Sequence, residues 1–301
     1  MEAKNHLLWL CCSCAVGVLD STLVRNDEDL NSKIPEIKIP DTKIHQTKII
    51  ETNITTPDKF FQKLTLPTSN LRFKPPRTDV KIRVYKYKLY GKDFIKSQRF
   101  SPDAYIQVAL QLAYYLTHFQ FTATYESCSI RKFNLGRVDN IRACQQPSID
   151  FCKSVLKQES ASVKVRNSKN QENLQLLMEK AIHNQTKHTQ KVVNGKGLDN
   201  HLLGLSSVSD SGLFKCCAYK KFSDFKLSTS QIPIAEGSVL EGCFMCYGPV
   251  VDDGYGCSYQ PNGSDLVFCI SSWESSEFSG LEKFKGSIQN SLDVMKDLCQ
   301  S

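Results

Sequence analysis

From Val80 to Cys299 the spacing of apolar residues switches repeatedly between a period of two and a period of about 3.6, which restricts the chain to folds mixing strands with helices. Val80 to Tyr90 alternates, with Val80, Ile82 and Val84 set against Lys81 and Arg83, and this predicts a strand. Ser101-Pro102-Asp103 then predicts a helix start. Ser101 can cap it, Pro102 suits the first helical position because it has no N–H to lose, and Asp103 complements the positive end of the dipole. Ile106, Ala109, Leu110, Ala113 and Thr117 follow at helical spacing. Leu174, Leu177, Met178, Ala181 and Ile182 predict a second helix, and Leu281, Phe284, Ile288, Leu292, Met295 and Cys299 a third. Residues 238–250 and 265–272 read as buried strands between them. The expected class is α/β.

The N-terminal region reads differently. Lys33-Ile-Pro-Glu-Ile, Lys38-Ile-Pro-Asp-Thr, Lys43-Ile-His-Gln-Thr and Lys48-Ile-Ile-Glu-Thr repeat every five residues, a period that fits neither helix nor strand. Residues 19–57 are therefore expected to be an extended linker. Residues 1–60 form an unplaced segment, and residues 61–301 one domain. No apolar run reaches the roughly 18–20 residues needed to span a bilayer. Leu7 to Val18, behind Lys4, weakly resembles a signal peptide, and Asn53, Asn184 and Asn262 head glycosylation tripeptides. Against secretion stand thirteen cysteines, an odd number without the spacing of a disulfide framework. Free thiols and a cytoplasmic location are expected. Cys243 and Cys246, with Cys216 and Cys217, invite a zinc reading. Strand positions i and i+3 point to opposite faces, however, so no metal is expected.

The net charge of +7 is too small to imply a nucleic-acid partner, but it is concentrated. Lys81, Arg83, Lys86, Lys88, Lys92, Lys96 and Arg99 face a single acid, Asp93, in one short stretch, which suggests an anionic ligand. Lys92 and Lys96 stand at a turn beside the helix start at Ser101, where fixed charge and free amide N–H groups suit a phosphate. A solvated edge strand guarded by lysines is the competing reading. Leu227-Ser228-Thr229-Ser230-Gln231 could line an oxyanion or substrate pocket, or could be an ordinary strand edge or turn. Tyr247-Gly248-Pro249-Val250-Val251-Asp252-Asp253-Gly254-Tyr255-Gly256 reads as a strand followed by a tight turn. None of the six histidines stands in a nucleophile or metal motif.

Taken together, several blocks resemble the choline/carnitine acyltransferase family. They are Ser101 through Ala113, Thr124-Tyr125-Glu126-Ser127, Gly136-Arg137-Val138-Asp139-Asn140-Ile141-Arg142, Asp199-Asn200-His201-Leu202-Leu203, Leu227 through Gln231, and Tyr247 through Val251. The resemblance covers about residues 64–301 and implies the C-terminal part of a two-domain, coenzyme A-dependent fold: a mixed sheet with flanking helices. Within the family the chain looks choline-type. Val138 stands where carnitine enzymes usually have Thr, Asn200 where they have an Arg for the carnitine carboxylate, and Cys269-Ile270-Ser271-Ser272 is also of that type.

The resemblance implies acetyl transfer from acetyl-coenzyme A to choline by a monomer. The coenzyme would lie along Gly91-Lys92-Asp93-Phe94-Ile95-Lys96-Ser97-Gln98-Arg99-Phe100-Ser101-Pro102-Asp103, with Lys92 and Lys96 at its phosphates and Ser127 and Gln231 adding contacts. Ser228 and Ser230 would line the reacting centre, and Tyr125, Val138, Asn200 and Tyr247 would face choline. The family's base is a histidine for which this sequence has no counterpart, since His6 and His45 stand in unrelated contexts. The expected chain is truncated and inactive alone. A non-catalytic acyl-coenzyme A-binding or interaction protein, or an acyltransferase for another alcohol such as carnitine, are the rival expectations.

Overall fold

The computed structural model describes residues 17–20, 79–160, 168–209, 211–231 and 243–300. A six-stranded mixed sheet organises the molecule. Its members are β2 (Val80–Tyr87), β3 (Thr124–Ser129), β4 (Val138–Arg142), β5 (Leu227–Gln231), β7 (Tyr255–Pro261) and β8 (Leu266–Trp273), in the spatial order β2-β8-β7-β5-β3-β4. The β7–β5 and β5–β3 pairings are parallel, and those toward both edges are antiparallel. A separate two-stranded ladder joins β1 (Gly17–Asp20) to β6 (Cys243–Cys246).

The helices are α1 (Lys92–Ser97), α2 (Pro102–His118), α3 (Gln146–Ser160), α4 (Ser168–Lys191), α5 (Asp199–Val208), α6 (Cys217–Ser223) and α7 (Leu281–Gln300). The α/β expectation is met, and strand periodicity explains how the layers form. Tyr255, Cys257 and Tyr259 alternate along β7 and, with Phe268 and Ile270 of β8, join residues of α2, α4 and α7 in the main core. The opposite face carries Val84 and Cys269, which cluster with Cys246 of β6. Ser258 and Ser271 on that face donate to the backbone carbonyls of Met245 and Tyr247, so the β6 segment lies over it.

The helix start at Ser101 is as the sequence predicts: its hydroxyl accepts from the Ala104 N–H at 3.4 Å, and Pro102 opens the helix. α2 is buried all round, including Gln107 and Gln111, because it is packed against α7, α4 and α3. α7 buries Leu281, Phe284, Ile288, Leu292 and Met295 as predicted, while Leu298 rather than Cys299 ends the buried stripe. Phe284 stacks on Tyr255 at 4.4 Å, and truncating so buried an aromatic ring costs about 3–5 kcal/mol.

Four expectations need correcting. The first strand stops at Tyr87, because Tyr90 turns inward to donate to the Leu292 carbonyl at 2.8 Å. The strand expected over 238–250 appears as β6 alone and ends at Cys246; residues 232–242 lie outside the described residues. Leu19 and Asp20, expected in the linker, pair with Phe244 and Cys243, and residues 21–78 lie outside the described residues. Not all thiols are free: Cys246 and Cys269 form a disulfide, their Cα atoms 5.7 Å apart where β6 crosses β8. No helix among the described residues is long and apolar enough to cross a membrane.

Candidate functional site

The basic corner is built differently from the sequence expectation. Lys92–Ser97 is a short helix, not a turn, and its first amides are already used. Lys92 N–H donates to the Asn262 carbonyl at 2.7 Å and Asp93 N–H to the Gly263 carbonyl at 3.2 Å. Gly91 makes this docking possible, since a Cβ there would lie 2.4 Å from the Asn262 carbonyl oxygen. The positive charge at this corner therefore comes from side chains. Lys81, Arg83 and Lys86 are paired with Glu274, Glu282 and Asp265. Lys92, Lys96 and Arg99 have no carboxylate partner among the described residues.

The thirteen residues expected along the coenzyme do not share one surface. Ile95 is fully buried, Phe94 packs on Tyr90 at 4.7 Å, and Phe100 packs against Tyr105 and His183. Ser97 donates to the Phe94 carbonyl, Gln98 donates to Ser97, and Arg99 closes α1 with a left-handed φ of 62°. Ser101 and Pro102 are occupied in starting α2.

The hydroxyl-rich strand does form a cluster. Because β5 and β3 run parallel with Ser228 opposite Tyr125, alternate residues of the two strands share a face. Ser228 Oγ donates to the Tyr125 hydroxyl at 2.9 Å, and the Tyr247 hydroxyl donates to the Ser228 carbonyl at 3.1 Å. Burial pushes the Tyr247 phenol well above its ordinary range, so it stays a neutral donor. Gly256 lets the Tyr247 backbone lie this close, for a Cβ would fall 2.6 Å from the Tyr247 carbonyl oxygen. Ser230 and Ser127 have the parity of Ser228 and Tyr125, whereas Gln231 has the parity of Thr229 and faces the helices. The structure thus joins Ser228, Tyr125 and Tyr247 and separates Gln231 from them.

Beneath this cluster lies a network that sequence reasoning missed. The Tyr259 hydroxyl is 2.6 Å from Asp103 Oδ1 and 2.9 Å from Glu126 Oε1. Gln107 Nε2 donates to Tyr259 and to Thr229 Oγ1, both at 2.9 Å, and Thr229 Oγ1 donates to the Tyr125 carbonyl at 2.8 Å. Asp103 therefore turns inward to Tyr259 rather than serving only the helix dipole. Tyr259 has one hydroxyl hydrogen and cannot donate to both acids. Burial, reinforced by the neighbouring Asp103 charge, pushes the Glu126 carboxyl well above the ordinary range, and burial raises Asp103 too. A protonated Glu126 can donate to the Tyr259 oxygen while Tyr259 donates to Asp103, with Glu126 Oε2 left buried and without a partner. Two acids 23 positions apart in sequence and a tyrosine on a distant strand carry no local signal.

Val138 and Asn200 meet at the β4 edge, where Asn200 Nδ2 donates to the Val138 carbonyl at 2.8 Å; both residues are exposed. Two of the histidines are engaged in contacts of the fold. His188 Nε2 accepts from the Arg142 N–H at 3.3 Å. His118 Nε2 is 3.1 Å from the Tyr255 hydroxyl, its ring stacks on Phe278, and burial draws it down to about 4.

The sequence profile described as Choline/Carnitine o-acyltransferase matches residues 45–290. The chain belongs to this family. It is 42% identical over 222 residues to choline O-acetyltransferase of Sus scrofa, covering 72% of this chain and 33% of that protein. It is 40% identical over 243 residues to choline O-acetyltransferase of Drosophila melanogaster, covering 74% and 33%. It is also 37% identical over 229 residues to carnitine O-acetyltransferase of Rattus norvegicus, covering 74% and 34%. The chain thus spans about a third of the length of these relatives. Among solved structures, a wax ester synthase/diacylglycerol acyltransferase from Marinobacter aquaeolei VT8 superposes with a TM-score of 0.43 at 12% identity, over 74% of this chain and 50% of that one.

Proposed function

We propose that this chain carries the coenzyme-binding and acceptor-lining part of a choline O-acetyltransferase, which moves acetyl from acetyl-coenzyme A to choline in the cytoplasm. The observation that carries the reading is the Ser228–Tyr125–Tyr247 cluster, with the neutral Asn200 held on the Val138 carbonyl of β4, the strand that adjoins β3. A quaternary ammonium donates no hydrogen bond and is held by aromatic faces and oxygen dipoles. A carboxylate-bearing acceptor such as carnitine would be matched better by a cation, and the neutral Asn200 offers none.

In the proposed reaction the choline hydroxyl attacks the thioester carbonyl. Its proton passes to a base and then to the departing coenzyme thiolate. The Ser228 or Ser230 hydroxyl donates to the oxyanion that forms on the carbonyl oxygen. The coenzyme phosphates lie at Lys92 and Lys96 as point-charge partners. His118 and His188 are held in other contacts, which supports the view that neither of these two supplies the base. The chain alone is expected to bind without turning over.

Calorimetric titration of the chain with coenzyme A, followed by a thiol-release assay with acetyl-coenzyme A and choline, tests both halves. Binding without choline-dependent thiol release is expected. Absence of any coenzyme A binding refutes the family-based site, and saturable choline-dependent release refutes the inactivity of the chain.

A further inference from the structure

We infer that Arg142 is a positioning residue that sets where Asn200 and Tyr125 stand and thereby tunes the choice of acyl acceptor. The inference rests on the acceptor-pocket reading above. Arg142 ends β4, directly opposite Tyr125 of β3. Its guanidinium forks onto one carboxylate: Nε donates to Asp199 Oδ2 at 2.9 Å and Nη2 to Asp199 Oδ1 at 2.6 Å. Nη1 donates to the Phe222 carbonyl at 2.8 Å. The two charged side chains are only 17% and 14% exposed, so solvent competes weakly for the pair.

Two features make this clamp decisive for the residues around it. The first concerns α5, which begins at Asp199 and carries Asn200 as its second residue. α5 has no fully buried residue, and Leu202 is its one partly buried leucine. Its N-terminal turn is held to β4 by polar contacts: the Arg142–Asp199 fork, the Asn200 N–H to Asp139 Oδ1 at 3.2 Å, and the Asn200 side chain to the Val138 carbonyl. The second concerns Tyr125. The Arg142 guanidinium lies over the Phe222 ring at 3.2 Å and the Phe225 ring at 4.7 Å, and Phe225 meets Tyr125 edge-on at 4.7 Å. One side chain thus braces both the amide and the phenol assigned to the acceptor. Its positive charge is already matched by Asp199, which leaves it unsuited to receive an acceptor's carboxylate. A lysine keeps the charge but cannot make the fork or the stack.

The test uses the 15N-labelled full chain. The Asn200 side-chain amide resonance is followed in wild type and Arg142→Lys, first free and then during titration with choline chloride or L-carnitine at saturating coenzyme A. The lysine variant is expected to shift the Asn200 amide before any acceptor is added. It should also weaken choline binding by about fivefold or more, the scale of a lost charge-assisted hydrogen bond, with coenzyme A affinity within about twofold of wild type. A role confined to general stability would leave the Asn200 amide of the folded variant where it was, and that result overturns the inference while the acceptor reading survives. If wild type shows no choline-induced shift at all, the acceptor reading fails and the functional half of the inference with it. Should Arg142→Lys not fold, Asp199→Asn replaces it, since it breaks the same fork from the α5 side. An unmoved Asn200 amide there overturns the inference equally.

Discussion

The substitution Glu126→Gln is predicted to remove a pH dependence from the stability of the fold. Glu126 is 4% exposed and shares the Tyr259 hydroxyl with Asp103, so only one of the two acids can ionise without a buried like-charge repulsion. The folded-state value of Glu126 is raised above its ordinary 4.5, first by burial and then by the Asp103 charge. The folded chain therefore keeps a proton that the unfolded chain has lost, and stability falls as pH rises from about 4.5 toward the raised folded value. The slope is at most about 1.4 kcal/mol per pH unit for one proton. The introduced amide offers an N–H where the protonated acid offers an O–H, so it keeps a donor for Asp103 or Tyr259 without needing the proton. His118 and His188 are shifted downward and act with the opposite sign, gaining stability as pH rises through their range, so the difference between wild type and variant removes their part and reports the Glu126–Asp103 pair. Urea unfolding at several pH values from about 5 to about 8 measures it. The variant should gain on wild type steadily as pH rises. A variant that is destabilised by the same amount at every pH would mean that Glu126 is ionised in the fold, and the shared-proton argument would be wrong.

Changing Lys92 and Lys96 together to Ala should weaken coenzyme A binding and flatten its dependence on salt, as isothermal titration at two ionic strengths will show; equal affinity at low salt would make this corner only a solvated helix. Reducing the Cys246–Cys269 disulfide, whose partners are 23 residues apart, should cost about 3 kcal/mol of stability by chain-entropy reasoning, read from unfolding with and without reductant. The double change Val138→Thr with Asn200→Arg should raise carnitine binding relative to choline, because it supplies a cation and a hydroxyl for the carboxylate; an unchanged ratio in a paired titration argues against the acceptor assignment.

What the sequence made legible was whatever is written locally. The Ser101 cap, the Pro102 start and the α7 stripe from Leu281 to Met295 depend on residues within a few positions of one another. For Leu227 to Gln231 the run of hydroxyls left a strand edge and a turn both open, and the structure makes it β5. Face assignment was only half legible, since period-two spacing separates Gln231 from Ser230 but does not say which side holds the helices. The uses of particular groups were hidden. That the α1 amides are consumed by Asn262 and Gly263 depends on a turn about 170 positions away by numbering. The Asp103–Glu126–Tyr259 contact, the Arg142–Asp199 fork and the Cys246–Cys269 bond likewise arise only when distant strands are brought side by side.

The parallel pairing of β5 on both edges has a consequence for how the molecule comes into being. Ser228 meets Tyr125 across 103 positions of chain and Gly256 across the other edge, so its strand has no partner within its own neighbourhood. Hairpins such as β3–β4 can zip from a turn, but β5 must wait for loop closures that are entropically slow. During synthesis β5 can meet β3 before β7 has emerged, but its other edge cannot be paired until then, and a ribosome paused before Tyr255 would hold a chain with that edge of the Ser228 strand open. The chemistry-bearing strand is thus completed only by segments that lie on both sides of it in the chain, and its closed edges report that β3 and β7 are both in place.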